Sequence, residues 1–173
     1  MPSAQRPVPT DRPTKRKRTT YDRALDLLEA RARGVTELRR LLIRKGEPQP
    51  DVDEAIARLQ RSGLLDDAMY ARQFARSKAL GAGLSRRRLQ QELSKRGVPR
   101  EVSDAAIAEV FEQEGVDDGA SIERVARKKL KTLDKLDIAT QRRRLYAFLA
   151  RRGYDSDDIA NVTQALLQTS SED

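Results

Sequence analysis

"LQQELSKRG", residues 89–97, reads as the end of a helix. Leu89 and Leu93, four apart, fall on one helical face. Arg96 lies near the negative end of the helix dipole, and Gly97 can take the left-handed conformation that ends a helix. The same frame returns as "LRRLLIRKG" (38–46) and "LYAFLARRG" (145–153). Its glycines, Gly46, Gly97 and Gly153, are spaced by 51 and 56 residues. A short gap and another amphipathic helix follow each copy. Self-similarity at such a period marks a repeat architecture, whose units bury too little alone and stack on their neighbours.

Working outward, the apolar period is helical from Tyr21 onward, and no stretch alternates long enough to read as a strand. The expectation is an all-α fold: three tandem three-helix repeats at 21–65, 66–115 and 116–169, forming an elongated, curved body. The first helix should run from Asp22 to about Arg33, closed by Gly34. Thr36 then reads as the cap of a second helix, and Pro48 and Pro50 open a third that Gly63 closes. "GAG" at 81–83 reads as a flexible linker.

The junction between the first two units is "GLLDDAMYARQFA", residues 63–75. Gly63 ends one helix. Asp66 or Asp67 reads as the N-cap and first-turn acid of the next. Tyr70 and Phe74, one turn apart, are placed to fix the angle between units. "VDDG" (116–119) and "DSDD" (155–158) repeat the acidic start, which favours capping over a metal or acid/base role for the aspartates.

Composition narrows the chemistry. The 173 residues contain no Cys and no His, which argues against a thiol nucleophile, a disulfide framework, a histidine base or a zinc site. No phosphate-binding glycine loop occurs. No catalytic, cofactor-binding or metal-ligating residue is assigned, and an enzyme is not expected.

The formal charge is +8, which favours a polyanionic partner. Residues 1–20 hold four prolines and a net +5, and read as a disordered basic tail. Its Lys15, Arg16, Lys17 and Arg18 are candidate contacts to nucleic acid or acidic protein. In the body, "SRRR" (85–88) and "TQRRR" (140–144) both read as opening second helices. Arg86, Arg87, Arg88, Arg142, Arg143 and Arg144 would then sit near the positive dipole end, an unfavourable placement that points to an anionic partner. Lys128, Lys129, Arg151 and Arg152 extend the basic set. The plain alternative is a solvated face whose charges pair locally, for example with Glu92 and Glu123. No run is apolar enough to span a bilayer. The chain reads as a cytoplasmic monomer.

These residues resemble the RecX regulatory proteins. The likeness lies in Gly63, Leu65, Asp66, Asp67, Tyr70 and Ala71, then Leu89, Glu92, Leu93, Arg96 and Gly97. It continues in Arg31, Arg33, Glu37 and Leu38 of the first unit and in "FLARRGYDSDDI" (148–159) of the third. It covers about residues 21–168. The resemblance implies tandem three-helix repeats and a modulator, mostly an inhibitor, of the RecA recombinase. Such a protein binds RecA and its filament on single-stranded DNA. It blocks filament growth, and with it ATP hydrolysis, strand exchange and repressor cleavage in the SOS response. Whether DNA is also contacted directly stays open. The rival reading is a sequence-independent DNA-binding or architectural helical protein with no RecA partner. The low aromatic content, 4%, argues against single-strand binding by base stacking.

Overall fold

The computed structural model describes residues 18–169. The expected tail, with Lys15, Arg16 and Lys17, lies outside them, apart from its last residues. Among the described residues all regular structure is helical. The helices are α1 (Thr20–Ala30), α2 (Val35–Arg44), α3 (Gln49–Arg61), α4 (Asp67–Ser77), α5 (Arg86–Lys95), α6 (Arg100–Gln113), α7 (Asp118–Leu130), α8 (Ile138–Arg151) and α9 (Ser156–Thr169). A π-helical turn, Lys78–Ala82, continues α4.

Local chemistry sets the ends. Thr19 and Asp22 form a reciprocal capping box, so α1 starts at Thr20 rather than at Asp22. Thr20 is buried and its hydroxyl donates to Glu47. Thr19 and Thr20 thus belong to α1 and not to the tail. Arg33 turns back to donate to the Leu27 carbonyl, which serves an open end of α1 three residues earlier than expected. Asp137 caps α8 by accepting from the Thr140 N–H at 2.9 Å. Arg142, Arg143 and Arg144 therefore lie in the second turn of α8 and not at its opening. Only the triplet Arg86–Arg88 occupies a first turn.

Each unit has its own core. Ala24, Leu38, Leu42, Val52, Ile56 and Leu59 fill the first, joined by Leu65 from the connecting segment. Leu64 beside it is exposed. Tyr70, Ala71, Leu89, Leu93, Ile107 and Phe111 fill the second. Ile122, Ala126, Leu145, Leu149, Ile159 and Leu166 fill the third. Every broad helix–helix face lies within a unit, α4 against α6 being the most extensive. The leucine pairs of the repeat, Leu38/Leu42, Leu89/Leu93 and Leu145/Leu149, are all fully buried.

Candidate functional site

Between units the contacts are few, and the repeat glycines among them follow one rule. The glycine ending a second helix lies under the start of the preceding unit's second helix. At the first junction, a Cβ on Gly97 would come within 2.5 Å of the Thr36 side chain. The Thr36 hydroxyl donates to the Gly97 carbonyl at 3.0 Å. At the second, a Cβ on Gly153 would come within 2.6 Å of Ser85 and Arg88. Arg87, at the helix position equivalent to Thr36, donates to the Gly153 carbonyl at 3.2 Å. Thr36 is thus a clasp inside α2 and not its cap.

The paired aspartates divide their work. Asp66 caps α4, accepting from Ala68 and Met69. Asp67 reaches back 32 residues and accepts the Val35 N–H at 2.8 Å. Gly34, the N-cap of α2, has no side chain to do this, so α2 is capped from the next unit. Burial pushes the Asp67 carboxyl above its ordinary range, partly offset by the Val35 bond. The pair at 117–118 repeats the division. Asp117 caps α7, and Asp118 reaches back to Arg86 at 3.1 Å. There α5 has its own cap in Ser85, so the second carboxylate takes the guanidinium instead. Gly63 ends its turn at φ +70° with open space around it. Tyr70 is buried in the core of the second unit and packs at the Gly34 backbone. Phe74 lies within the second unit, under Arg96 at 4.5 Å.

The second junction is closed by more bonds. The Ser85 N–H donates to the Arg152 carbonyl at 3.0 Å. Arg152 donates to the Ala82 carbonyl at 2.9 Å, and the Tyr154 hydroxyl to the Gly83 carbonyl at 3.1 Å. Burial raises the Tyr154 hydroxyl pKa above its ordinary value. The segment 81–83, expected to be a flexible linker, is a docking platform whose carbonyls hold the third unit.

The cationic candidates fall into two groups. Arg86 pairs with Asp118 and lies over the Phe111 ring at 4.1 Å. Arg87 binds the carbonyls of Gly153 and Tyr154 and pairs with Asp155 at 3.1 Å. Arg88 pairs with Glu92 at 2.9 Å. The dipole penalty of this triplet is thus met inside the protein. Arg18 pairs with Asp26. By contrast, Arg142, Arg143, Arg144, Arg151 and Lys128 are exposed and show no carboxylate partner among the described residues. Lys129 and Arg152 flank the Phe148 ring, at 5.4 Å and 3.6 Å. No group of acidic residues suited to a metal, and no helix long and apolar enough to cross a membrane, occurs among the described residues.

Sequence reasoning did not single out Val35, Thr36 as a clasp, Asp118 or Tyr154. The recurring Asp-Asp pair was the available signal, since one cap needs only one of its two carboxylates.

Three three-helix units joined by repeated clasps define a helical-repeat protein. Family models for the first, second and third three-helix domains of RecX match residues 21–59, 66–107 and 117–163. The chain is 37% identical to a regulatory protein RecX of Mycolicibacterium vanbaalenii, over 99% of this chain and 95% of that one. It is 39% identical to one of Amycolatopsis mediterranei, over 89% of this chain and 83% of that one. The crystal structure of RecX from Lactobacillus salivarius shares the fold, with a TM-score of 0.66 at 19% identity over 85% of this chain and 94% of that one. This chain belongs to the RecX family of regulatory proteins.

Proposed function

We propose that this protein binds RecA and its filament on single-stranded DNA and inhibits filament extension. ATP hydrolysis, strand exchange and SOS-linked repressor cleavage would fall with it. The observation that supports this reading is the full set of three RecX domains in order along the chain. The clasped junctions suit the role, because they hold the basic faces of successive units in a fixed relation. The surface we assign to the partner is the exposed part of α8, Arg142, Arg143, Arg144 and Arg151, with Lys128 and Lys129 on α7. These charges have no internal carboxylate to leave, so pairing them with an acidic protein face or a phosphate breaks no existing ion pair. The protein acts as a monomer in the cytoplasm. Arg86, Arg87 and Arg88 contribute by setting the junction.

The test is RecA ATPase activity on excess single-stranded DNA. Inhibition well below one protein per RecA supports action on the filament; inhibition only when the DNA is titrated out supports template competition and removes RecA as a specific partner. Reversing Arg142, Arg143 and Arg144 to Glu should weaken inhibition about tenfold or more with helicity unchanged, a loss of roughly 1.4 kcal/mol or more in binding. Undiminished inhibition would move the contact surface elsewhere.

A further inference from the structure

The second and third units contain the same small assembly, built in two ways. In unit two, Arg96 and Lys78 both lie over the Phe74 ring, at 4.5 Å and 6.0 Å from its centre. In unit three, Arg152 and Lys129 flank the Phe148 ring at 3.6 Å and 5.4 Å. The caps Asp66 and Asp117 align α4 with α7, which makes Lys78 equivalent to Lys129 and Phe74 to Val125. The Leu–Leu–Gly frame aligns α5 with α8, which makes Arg96 equivalent to Arg152 and Glu92 to Phe148. The ring has therefore moved from the first helix of the unit to the second, into the place of the glutamate.

That exchange removes the counter-ion. In unit two Glu92 binds Arg96 at 2.8 Å, and Arg96, with Arg88 and Lys95, holds its carboxyl below the usual range. In unit three Arg152 meets the ring, the neutral Ala82 carbonyl and the nearby Tyr154, with no carboxylate partner among the described residues. Burial draws the Arg152 guanidinium pKa below its ordinary value, with Tyr154 partly offsetting it and Arg151 adding to it. Two further positions change in the same sense: Gln73 becomes Arg124, and Ser77 becomes Lys128. The set in unit two, Lys78 and Arg96 against Glu92, is net +1. The set in unit three, Arg124, Lys128, Lys129 and Arg152, is +4.

These four cations line a notch of about 320 Å³ between the 80–83 segment, α7 and α8, and no acidic residue lines it among the described residues. A half-buried arginine with no carboxylate among the described residues, sharing its notch with three more cations, calls for an anion from outside. We infer that this notch is a phosphate-binding site, filled by the backbone of single-stranded nucleic acid. A chain of phosphates is favoured over one carboxylate because the charge continues along α7. Arg124, Lys128 and Lys131 share one face over about 10 Å, and they line the adjoining groove. Glu123 in that groove is already paired with Arg127. Bases are not stacked here, since cations cover the Phe148 ring. Because the notch lies between the α4–α5 connection of unit two and the helices α7 and α8 of unit three, an occupying phosphate would also brace that junction.

The notch gives Lys128, Lys129 and Arg152, among the cationic candidates, one ligand class, and its test contains no RecA, so it stands or falls separately from the proposed inhibition. The affinity of the full chain for a fluorescent oligothymidylate is measured by anisotropy across a salt series, and that for inorganic tripolyphosphate by calorimetry. Arg124→Gln with Lys128→Gln, both exposed, should weaken oligothymidylate binding about tenfold and lower the salt slope by about 1.4, at roughly 0.7 per phosphate. It should also weaken tripolyphosphate. Arg44→Gln with Arg61→Gln removes equal charge from the first unit and should do much less. Phe148→Glu, restoring the carboxylate of unit two, should reproduce the loss with helicity retained. Equal losses in the two double variants, or a wild-type chain that binds neither probe, would overturn the site. Loss of tripolyphosphate alone would keep the phosphate site and overturn the nucleic acid as its occupant.

Discussion

Asp67 shows what a single side chain does here. Its carboxylate is partly buried at the boundary of two units, where it supplies the cap that Gly34 cannot. Burial raises its pKa above the ordinary value of 3.8. A raised folded-state pKa contributes stability that is complete below the unfolded pKa and is lost as pH rises through the folded one. At neutral pH the charge is therefore a burden and the hydrogen bond a benefit. Asp67→Asn keeps an acceptor for the Val35 N–H and removes the charge. It should be as stable as the wild type or more so at pH 7, and should lose stability more steeply towards acid in urea denaturation, because the contribution that Asp67 gains on protonation is gone. Asp67→Ala loses the cap and should cost about 1 kcal/mol. If both variants lose stability alike at pH 7, the carboxylate charge itself is needed.

At the scale of the element, the repeated helix end has two jobs that the sequence frame does not separate. Gly46, Gly97 and Gly153 all have positive φ, at 85°, 77° and 88°. Around Gly46 a Cβ would meet nothing within 4 Å, whereas at Gly97 it would strike Thr36. Gly46→Ala should thus show only the backbone cost, about 1–2 kcal/mol. Gly97→Ala adds a clash that must open the clasp to Thr36, and should cost clearly more. Hydrogen exchange at the start of α2 should rise in the second variant and not in the first. Equal costs and equal exchange would mean that the clasp contributes little. The leucine positions and left-handed glycines of this frame were legible because they depend on chain-local geometry. The clasp was not, because its partner lies 61 residues away.

At the scale of the whole molecule, broad packing stays within each unit and polar clasps join neighbours. Stability in such an array approximates a sum of unit terms and nearest-neighbour terms. A chain ended at Gly115 should therefore keep units one and two folded, with far-ultraviolet circular dichroism falling by the share of α7, α8 and α9. A cooperative urea transition should remain. Loss of nearly all helicity would show instead that the third unit is a necessary cap.

The sequence by itself determined the helical class, the three-unit register, the buried leucine pairs and the likeness to the RecX family. Each follows from spacing along one chain, where 3.6-residue periodicity and glycine stereochemistry act locally. Tertiary structure alone decided which charges remain available. "SRRR" and "TQRRR" look alike as text, yet Arg86, Arg87 and Arg88 meet Asp118, carbonyls of the third unit, Asp155 and Glu92. Arg142, Arg143 and Arg144 meet none among the described residues, since Asp137 starts α8 earlier and sets them a turn further along. A side chain's charge is fixed by its chemistry, but its freedom depends on what the fold brings within reach.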